Sequence, residues 1–192
     1  MNETIQTERL LLRPFEEGDY SLLLKIARDP DTVKYLYYWG LPGVTPEKDA
    51  SRFLHHALAE RQKQPVTLFE YCVLLKETGQ PIGEISAEKY ENGDAGIGWI
   101  LLPEFRGRGY AVEAGRAMMD FSFTHWQETQ RAVAYCDTRN GPSRRVMERL
   151  GMGLADIEKG ARPDKGDGFR GDEATYVLSR VDWVRRKKSG GA

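Results

Sequence analysis

The chain is poor in the residues that build metal centres and covalent frameworks. Its 192 residues hold only two cysteines, Cys72 and Cys136, each inside an apolar, strand-like stretch. Two isolated cysteines make neither a disulfide framework nor a zinc site, so a reducing compartment, the cytoplasm, is expected. The three histidines, His55, His56 and His125, lack carboxylate or thiolate partners at ligand spacing, and no metal is expected. No run of about 18 apolar residues occurs, so no bilayer-spanning helix and no membrane partner is expected. Residues 1–15 carry no basic stretch followed by an apolar one and do not read as a secretory signal. Neither sign of charge dominates: 28 Lys+Arg stand against 29 Asp+Glu. A phosphate-backbone partner demands a basic excess, so no nucleic-acid partner is expected. Arg139, Arg144, Arg145 and Arg149 are the one cluster that could offer such a contact, and they follow one helix side only in part.

What is present suits one self-sufficient domain. Apolar residues make up 40% and aromatics 10%, and a chain of this size buries about 70% of its unfolded surface without staples. The expected organisation is a single domain over residues 1–184 with a flexible basic and glycine-containing tail over 185–192. Residues 7–15 read as a strand, and Asp19 as the N-cap of a helix carrying Leu22, Leu23, Ile26 and Ala27. Thr45 and Pro46 open a second helix, with Ala50, Phe53, Leu54, Ala57 and Leu58 at the spacing of an amphipathic stripe. The middle then alternates with period two. Residues 66–75, 81–90 and 95–102 form three strands in series, joined by turns at Gly79 and at Asn92-Gly93. Residues 111–125 form a helix and 131–136 a strand, which makes a parallel, right-handed crossover. A short helix over 143–150 ends at Gly151. Strands over 154–158 and 174–180 close the order. The fold class predicted is a mixed α/β sheet, part antiparallel and part parallel.

The segment with the clearest chemistry runs over residues 103–111, PEFRGRGYA. It joins a strand to a helix. Glycine there lets backbone approach a ligand closely. The free N–H groups and positive dipole end of the helix face an anion, and Arg106 and Arg108 add positive charge. A phosphate or pyrophosphate site at residues 106–111 follows. It is neither a P-loop nor a dinucleotide fingerprint, because no Gly-Lys-Ser/Thr and no G-x-G-x-x-G occurs. A plain solvated turn or an arginine-rich RNA contact would carry the same letters.

The Arg106-x-x-Gly109-x-Ala111 element resembles the acetyl-CoA pyrophosphate motif of the GNAT acetyltransferase superfamily. Downstream, Asn140-Gly141-Pro142-Ser143, then Val146 and Leu150-Gly151-Met152, is similar to that family's second element. The order of strands and helices agrees from about residue 5 to 184. The opening ERLLLRPFEEGDY and the ending TYVLSRVDW resemble the branch that acetylates ribosomal-protein N-termini. The resemblance implies a GNAT-like fold with two central parallel strands splayed around acetyl-CoA. It places the pantetheine along Ile100, Leu101 and Leu102. It places the pyrophosphate on Arg106, Gly107, Arg108, Gly109, Tyr110 and Ala111, and the thiol end near Asn140 and Ser143. Asn140 also reads as a plain helix N-cap.

The implied reaction is acetyl transfer to a primary amine, a protein N-terminus or a small molecule, by direct attack on the thioester. A passive CoA or acyl-CoA binding module is the alternative. The family's frequent general-acid tyrosine is replaced by Met147, which leaves Ser143 or a water to protonate the sulfur. Glu84 and Tyr135 are candidate bases. Glu84 reads equally as a solvated strand carboxylate, and Tyr135 as a core or cleft ring. Tyr37, Tyr38 and Trp39 are candidate acceptor contacts, with core packing the other reading. Asp164, Asp167 and Asp172 on the 159–171 loop could attract a cationic amine. A homodimer is compatible with the sequence, which names no interface.

Overall fold

The computed structural model describes residues 4–189, with eight strands and six α-helices among them. The strands are β1 (Ile5–Gln6), β2 (Leu10–Pro14), β3 (Leu68–Leu75), β4 (Pro81–Lys89), β5 (Ala95–Leu101), β6 (Arg131–Asp137), β7 (Gly153–Glu158) and β8 (Glu173–Ser179). The helices are α1 (Tyr20–Arg28), α2 (Pro30–Val33), α3 (Pro46–Glu60), α4 (Tyr110–His125), α5 (Gly141–Leu150) and α6 (Arg180–Lys188). One sheet runs in the order β1-β2-β3-β4-β5-β6-β8-β7.

Each strand puts alternate side chains on opposite faces. Phe69 and Tyr71 of β3 meet Phe121 of α4, with ring centroids 4.8 and 6.1 Å apart. Gly115 of α4 admits Leu150 of α5, and Asp120 accepts from the Trp183 indole of α6 at 2.9 Å. Glu70 faces the other way, toward α3, where Phe53 packs edge-on against Phe15 at 5.5 Å. The sheet is therefore covered on both faces, by α4, α5 and α6 on one and by α1 and α3 on the other.

All neighbouring strands but one pair are antiparallel. The parallel pair, β5 and β6, is joined only at Ala95–Ala132 and Gly96–Val133. Beyond Gly96 the two strands part. β5 continues its ladder with β4 through Leu101, and β6 with β8 through Asp137, so the gap opens between two strands that are each held from outside.

Three sequence readings change in detail. The first strand is a hairpin: Thr7 N–H donates to Leu10 O at 3.0 Å, and Leu10 N–H donates to Thr7 Oγ1 at 2.9 Å. Asp19 stands at the N-cap position of α1 as expected, but its side chain makes no cap bond to that helix. Its carboxylate accepts from Glu16 N–H at 2.8 Å and from Arg13 at 2.6 and 2.8 Å, and α1 starts after a tight turn at residues 17–19. Residues 185–188, expected in a flexible tail, form the last turn of α6; residues 190–192 lie outside those described. The second helix begins as expected, with Thr45 Oγ1 accepting from Lys48 N–H at 3.3 Å.

Candidate active site

Two cavities flank the parted end of β5. The first, about 310 Å³, lies between the N-termini of α4 and α5 and the end of β5. Gly107 and Gly109 hold φ of 76° and 83°, a left-handed geometry that a side chain resists. These two residues swing the chain from β5 into α4. As a result the amides of residues 107–112 donate to no acceptor among the described residues. Six free N–H groups at a helix start form the anion cradle that the spacing predicts. The turn is braced from outside. Glu113 Oε1 accepts from Thr7 Oγ1 at 2.5 Å and from Arg9 N–H at 2.8 Å, and Arg9 donates to Arg108 O at 3.1 Å. Burial works against the Glu113 charge, but these bonds outweigh it and hold the carboxyl below its ordinary pKa.

Gly107, Gly109, Tyr110, Ala111, Ile100, Leu101, Asn140 and Ser143 line this cavity as expected. Three expected residues behave differently. Leu102 N–H donates to Ile82 O at 2.9 Å, so its backbone is turned to β4 and it lines neither cavity. By strand alternation the backbone of Leu101 and Trp99 faces the gap instead. Arg108 does not line the cavity; its guanidinium lies over the Phe105 ring, 5.9 Å from the centroid. Arg106 lines the cavity with its charge engaged inward. Its Nε donates to Leu101 O at 3.0 Å, its outer nitrogen donates to Thr32 Oγ1, and Asp29 lies 3.5 Å away. Arg106 thus ties the end of β5 to α2 rather than offering a free cation. Arg145 and Arg149 of α5 do line the cavity. Their spacing of four puts them on one helix face, a signal read in the sequence only as a poor nucleic-acid stripe.

Asn140 is both cap and wall: its Oδ1 accepts from Ser143 N–H at 3.2 Å. Ser143 Oγ has no hydrogen-bond partner among the described residues. Met147 is 1% exposed and packed in the core, so nothing at that position reaches the cavity.

The second cavity, about 820 Å³, opens on the opposite face. The candidate acceptor contacts Tyr37, Tyr38 and Trp39 line it, and so does Tyr135, the candidate base. Trp39 satisfies both of its readings, since it is buried and packs on Phe53 at 5.3 Å. Burial raises the Tyr135 hydroxyl, with nearby Glu173 adding to the effect, so it stays protonated at neutral pH. Glu84 is neither solvated nor in a cavity. It is 4% exposed, lines neither cavity, and burial pushes its carboxyl up to about 7. The loop aspartates are also engaged elsewhere. Asp164 accepts from Gly166 and Gly168 amides, Asp167 from Phe169 N–H, and Asp172 pairs with Lys159 at 2.8 Å. What the loop contributes is Arg162, which lines the cavity, and Lys165, which donates to Leu36 O at 2.6 Å and also to Trp39 O. Lys165 clamps the loop onto the aromatic run.

The carboxylates that line this cavity, Glu70, Glu88 and Glu173, and the neighbouring His56 carry no sequence signal that marks them as site residues. Glu70 alternates with apolar Phe69 and Tyr71, which marks its face but not its surroundings. Among the described residues no group of three or more His, Cys, Asp or Glu could hold a metal ion, and no helix is long and apolar enough to cross a membrane.

The cavities are neighbours along two segments. Gly96, Ile97 and Gly98 line the second, and Trp99, Ile100 and Leu101 the first; Tyr35 and Leu36 line the first, and Tyr37 onward the second. A split parallel pair beside a free-amide cradle is a geometry suited to gripping a diphosphate-bearing carrier, with a second chamber alongside it. Comparison with known proteins gives the family. Residues 9–153 match the acetyltransferase (GNAT) domain, and the chain belongs to that family. The uncharacterized N-acetyltransferase YnaD of Bacillus subtilis (strain 168) is 29% identical over 180 residues, covering 93% of this chain and 98% of YnaD. A GNAT-family acetyltransferase structure from Bacillus anthracis is 28% identical with a TM-score of 0.75, covering 92% of this chain and 98% of that one. RimL, a ribosomal L7/L12 alpha-N-protein acetyltransferase in complex with coenzyme A, shares the fold at 20% identity and a TM-score of 0.75, covering 92% and 98%. The chain is an acyltransferase that uses acetyl-CoA.

Proposed function

We propose that the chain moves an acetyl group from acetyl-CoA to the nitrogen of a primary amine, which attacks the thioester directly. The observation that carries this reading is the end-to-end placement of the two cavities along β5 and along residues 35–39. A carrier in one and an amine in the other would meet at the parted strands. Acetyl-CoA supplies an activated acyl carbon and a thiolate that leaves without much help.

The chain's own residues supply position and charge. The amides of residues 107–112 would hold the pyrophosphate, with Arg145 and Arg149 adding positive charge beside them. The gap-facing backbone of Trp99 and Leu101 would align the pantetheine. The Leu101 N–H is the fixed donor for an oxyanion, and it needs no reorganisation during reaction. Ser143 Oγ, free of other partners, would pass a proton to the departing sulfur while taking up, through solvent, the proton that the attacking amine sheds. Tyr135 acts as a hydrogen-bond donor and wall rather than as a base, because burial keeps its hydroxyl protonated. Glu84, buried outside both cavities, does not touch the acceptor. Much of the rate then comes from holding two reactants in one geometry. The acceptor class remains a primary amine, a protein N-terminus as in the name of RimL or a small molecule.

Thiol release from acetyl-CoA across a panel of primary amines tests the reading. Amine-dependent release is expected. Stabilisation by acetyl-CoA without release from any amine would make the chain a passive binder.

A further inference from the structure

The second cavity contains a buried carboxylate with nothing bound to it. The Glu70 side chain is 10% exposed, and its Oε2 has no hydrogen-bond partner. The nearest basic side chain is His56, whose Nδ1 stands 3.6 Å away and whose Nε2 lies 3.3 Å from Glu60. A carboxyl this buried, with no lysine or arginine beside it, is costly to ionise, and an ammonium entering the cavity would supply the missing positive charge. The other charges of the cavity wall are largely matched. Arg162 pairs with Glu173 at 3.0 Å, and Arg52 with Asp49 at 2.7 Å. Glu88 joins Glu70 in having no lysine or arginine partner among the described residues. Six aromatic rings, those of Tyr37, Tyr38, Trp39, Phe53, Tyr90 and Tyr135, complete the wall. Carboxylates facing an aromatic-lined chamber are the chemistry that binds an organic cation.

The register says where that cation sits. Glu70, Ser86 and Gly98 are partners across β3, β4 and β5. Two strand spacings place the Glu70 backbone about 9–10 Å from that of Gly98. Between them the floor carries only a hydroxymethyl group, since Gly98 has no side chain and Ser86 Oγ lies 2.6 Å from where one would start. In the next row, Leu68, Glu88 and Gly96, the Tyr90 ring covers the β5 end, so the open path is the Glu70 row. The attacking nitrogen must be at β5, beside the gap. Glu70 is at the far end of the open row, too distant to hold that same nitrogen.

We propose that the acceptor is a small α,ω-diamine, with one amine at the β5 gap and its second ammonium paired with Glu70 and Glu88. This rests on the acetyltransfer reading above. Side chains stand roughly perpendicular to the sheet, so the strand spacing less a short lateral reach puts the two nitrogens about 7–9 Å apart. That span suits an alkyl chain near six carbons, whose methylenes lie on Ser86, Gly98 and the rings. Glu70 is a specificity residue: it touches the substrate's remote end and takes no proton from the attacking nitrogen.

The test compares 1,6-diaminohexane with hexylamine by thiol release from acetyl-CoA, in the wild-type protein, in Glu70→Gln and in Glu88→Gln. The diamine is expected to show a kcat/KM about tenfold or more above the monoamine, one charge-assisted pair's worth. Glu70→Gln is expected to erase that preference through KM, with the pH dependence of kcat keeping its shape. Circular dichroism checks that Glu70→Gln folds; if it does not, Glu88→Gln carries the comparison and is expected to reduce the same preference. Equal use of diamine and monoamine by the wild-type protein overturns the proposal while leaving acetyltransfer intact. So does a Glu70→Gln effect confined to kcat with a displaced pH profile, which would mark a base. Thiol release from no amine at all overturns both readings together.

Discussion

The two cavities are built from different materials. The first is made of backbone: six amides, two left-handed glycines and a strand edge left bare where β5 parts from β6. The second is made mostly of side chains, from five strands, α3 and three connecting segments. Backbone chemistry is the same for every residue, so the first site suits a carrier that never changes. Side chains set shape and charge, so the second suits a partner that must be chosen. The structure keeps the constant task and the selective task on separate elements.

The largest test of that contrast is Gly109→Val. A β-branched residue at φ 83° costs about 1–3 kcal/mol, and it disturbs the cradle. At about 100 times Kd, acetyl-CoA stabilises by about 2.7 kcal/mol, or about 5–10 °C in Tm for a chain of this size. Thermal denaturation is expected to show that shift in the wild-type protein and to lose it in Gly109→Val. Gly93→Val is the control, since Gly93 has φ 84° in the β4–β5 turn with nothing within 4 Å. It carries the same strain and is expected to keep the shift. Loss of the shift in both variants would mean strain alone is responsible.

Next in size is the tenfold loss of diamine preference in Glu70→Gln, which touches only the selective site. Arg106→Gln follows. Its guanidinium holds Leu101 O and Thr32, so about 1.5–3 kcal/mol of stability should go with it. The salt dependence of CoA binding should be unchanged, because no phosphate is lost from a charge already engaged. A flatter salt dependence would place Arg106 on the phosphate after all.

A pH effect comes next. Burial, followed by repulsion from Glu84, Glu60 and Glu88, lifts the Glu70 carboxyl to about 8, and burial lifts Glu84 to about 7. His56 and Glu60 face Glu70 from α3, and Ser86, Glu84 and Glu88 from β4. An acid raised in the folded state favours folding below its ordinary pKa, and that advantage is lost as pH rises through the raised value. Tm is therefore expected to fall between about pH 5 and pH 8, and to fall less in Glu70→Gln or Glu84→Gln. Equal slopes in all three proteins would contradict the burial of these carboxylates. The smallest effect is expected from Ser143→Ala, a few-fold in kcat, because a thiol leaves largely unaided.

The same division explains what the sequence could tell. Gly107, Gly109 and Ala111 announce the cradle because local backbone geometry depends on a few adjacent letters. The strand order follows from period and turns, down to the Asn92-Gly93 hairpin. Arg106 was misread because a guanidinium's direction depends on Thr32 and Asp29, over seventy residues away in the chain and absent from any local pattern. Leu102 failed by one step of strand alternation. Glu84 and Glu70 show the limit most clearly. Both stand on polar steps of alternating strands, and only the packing of α1 and α3 decides which is sealed away and which lines a chamber. Asp164, Asp167 and Asp172 looked available, yet the loop's own amides and Lys159 take them.

The central claim is that the free amides of residues 107–112 receive the diphosphate of the carrier. Amide NMR spectra recorded during titration with coenzyme A test it most directly. The largest shifts are expected at Gly107 through Val112, with those of Glu70 and Glu88 nearly still. Saturable binding that leaves residues 107–112 unmoved would contradict the claim.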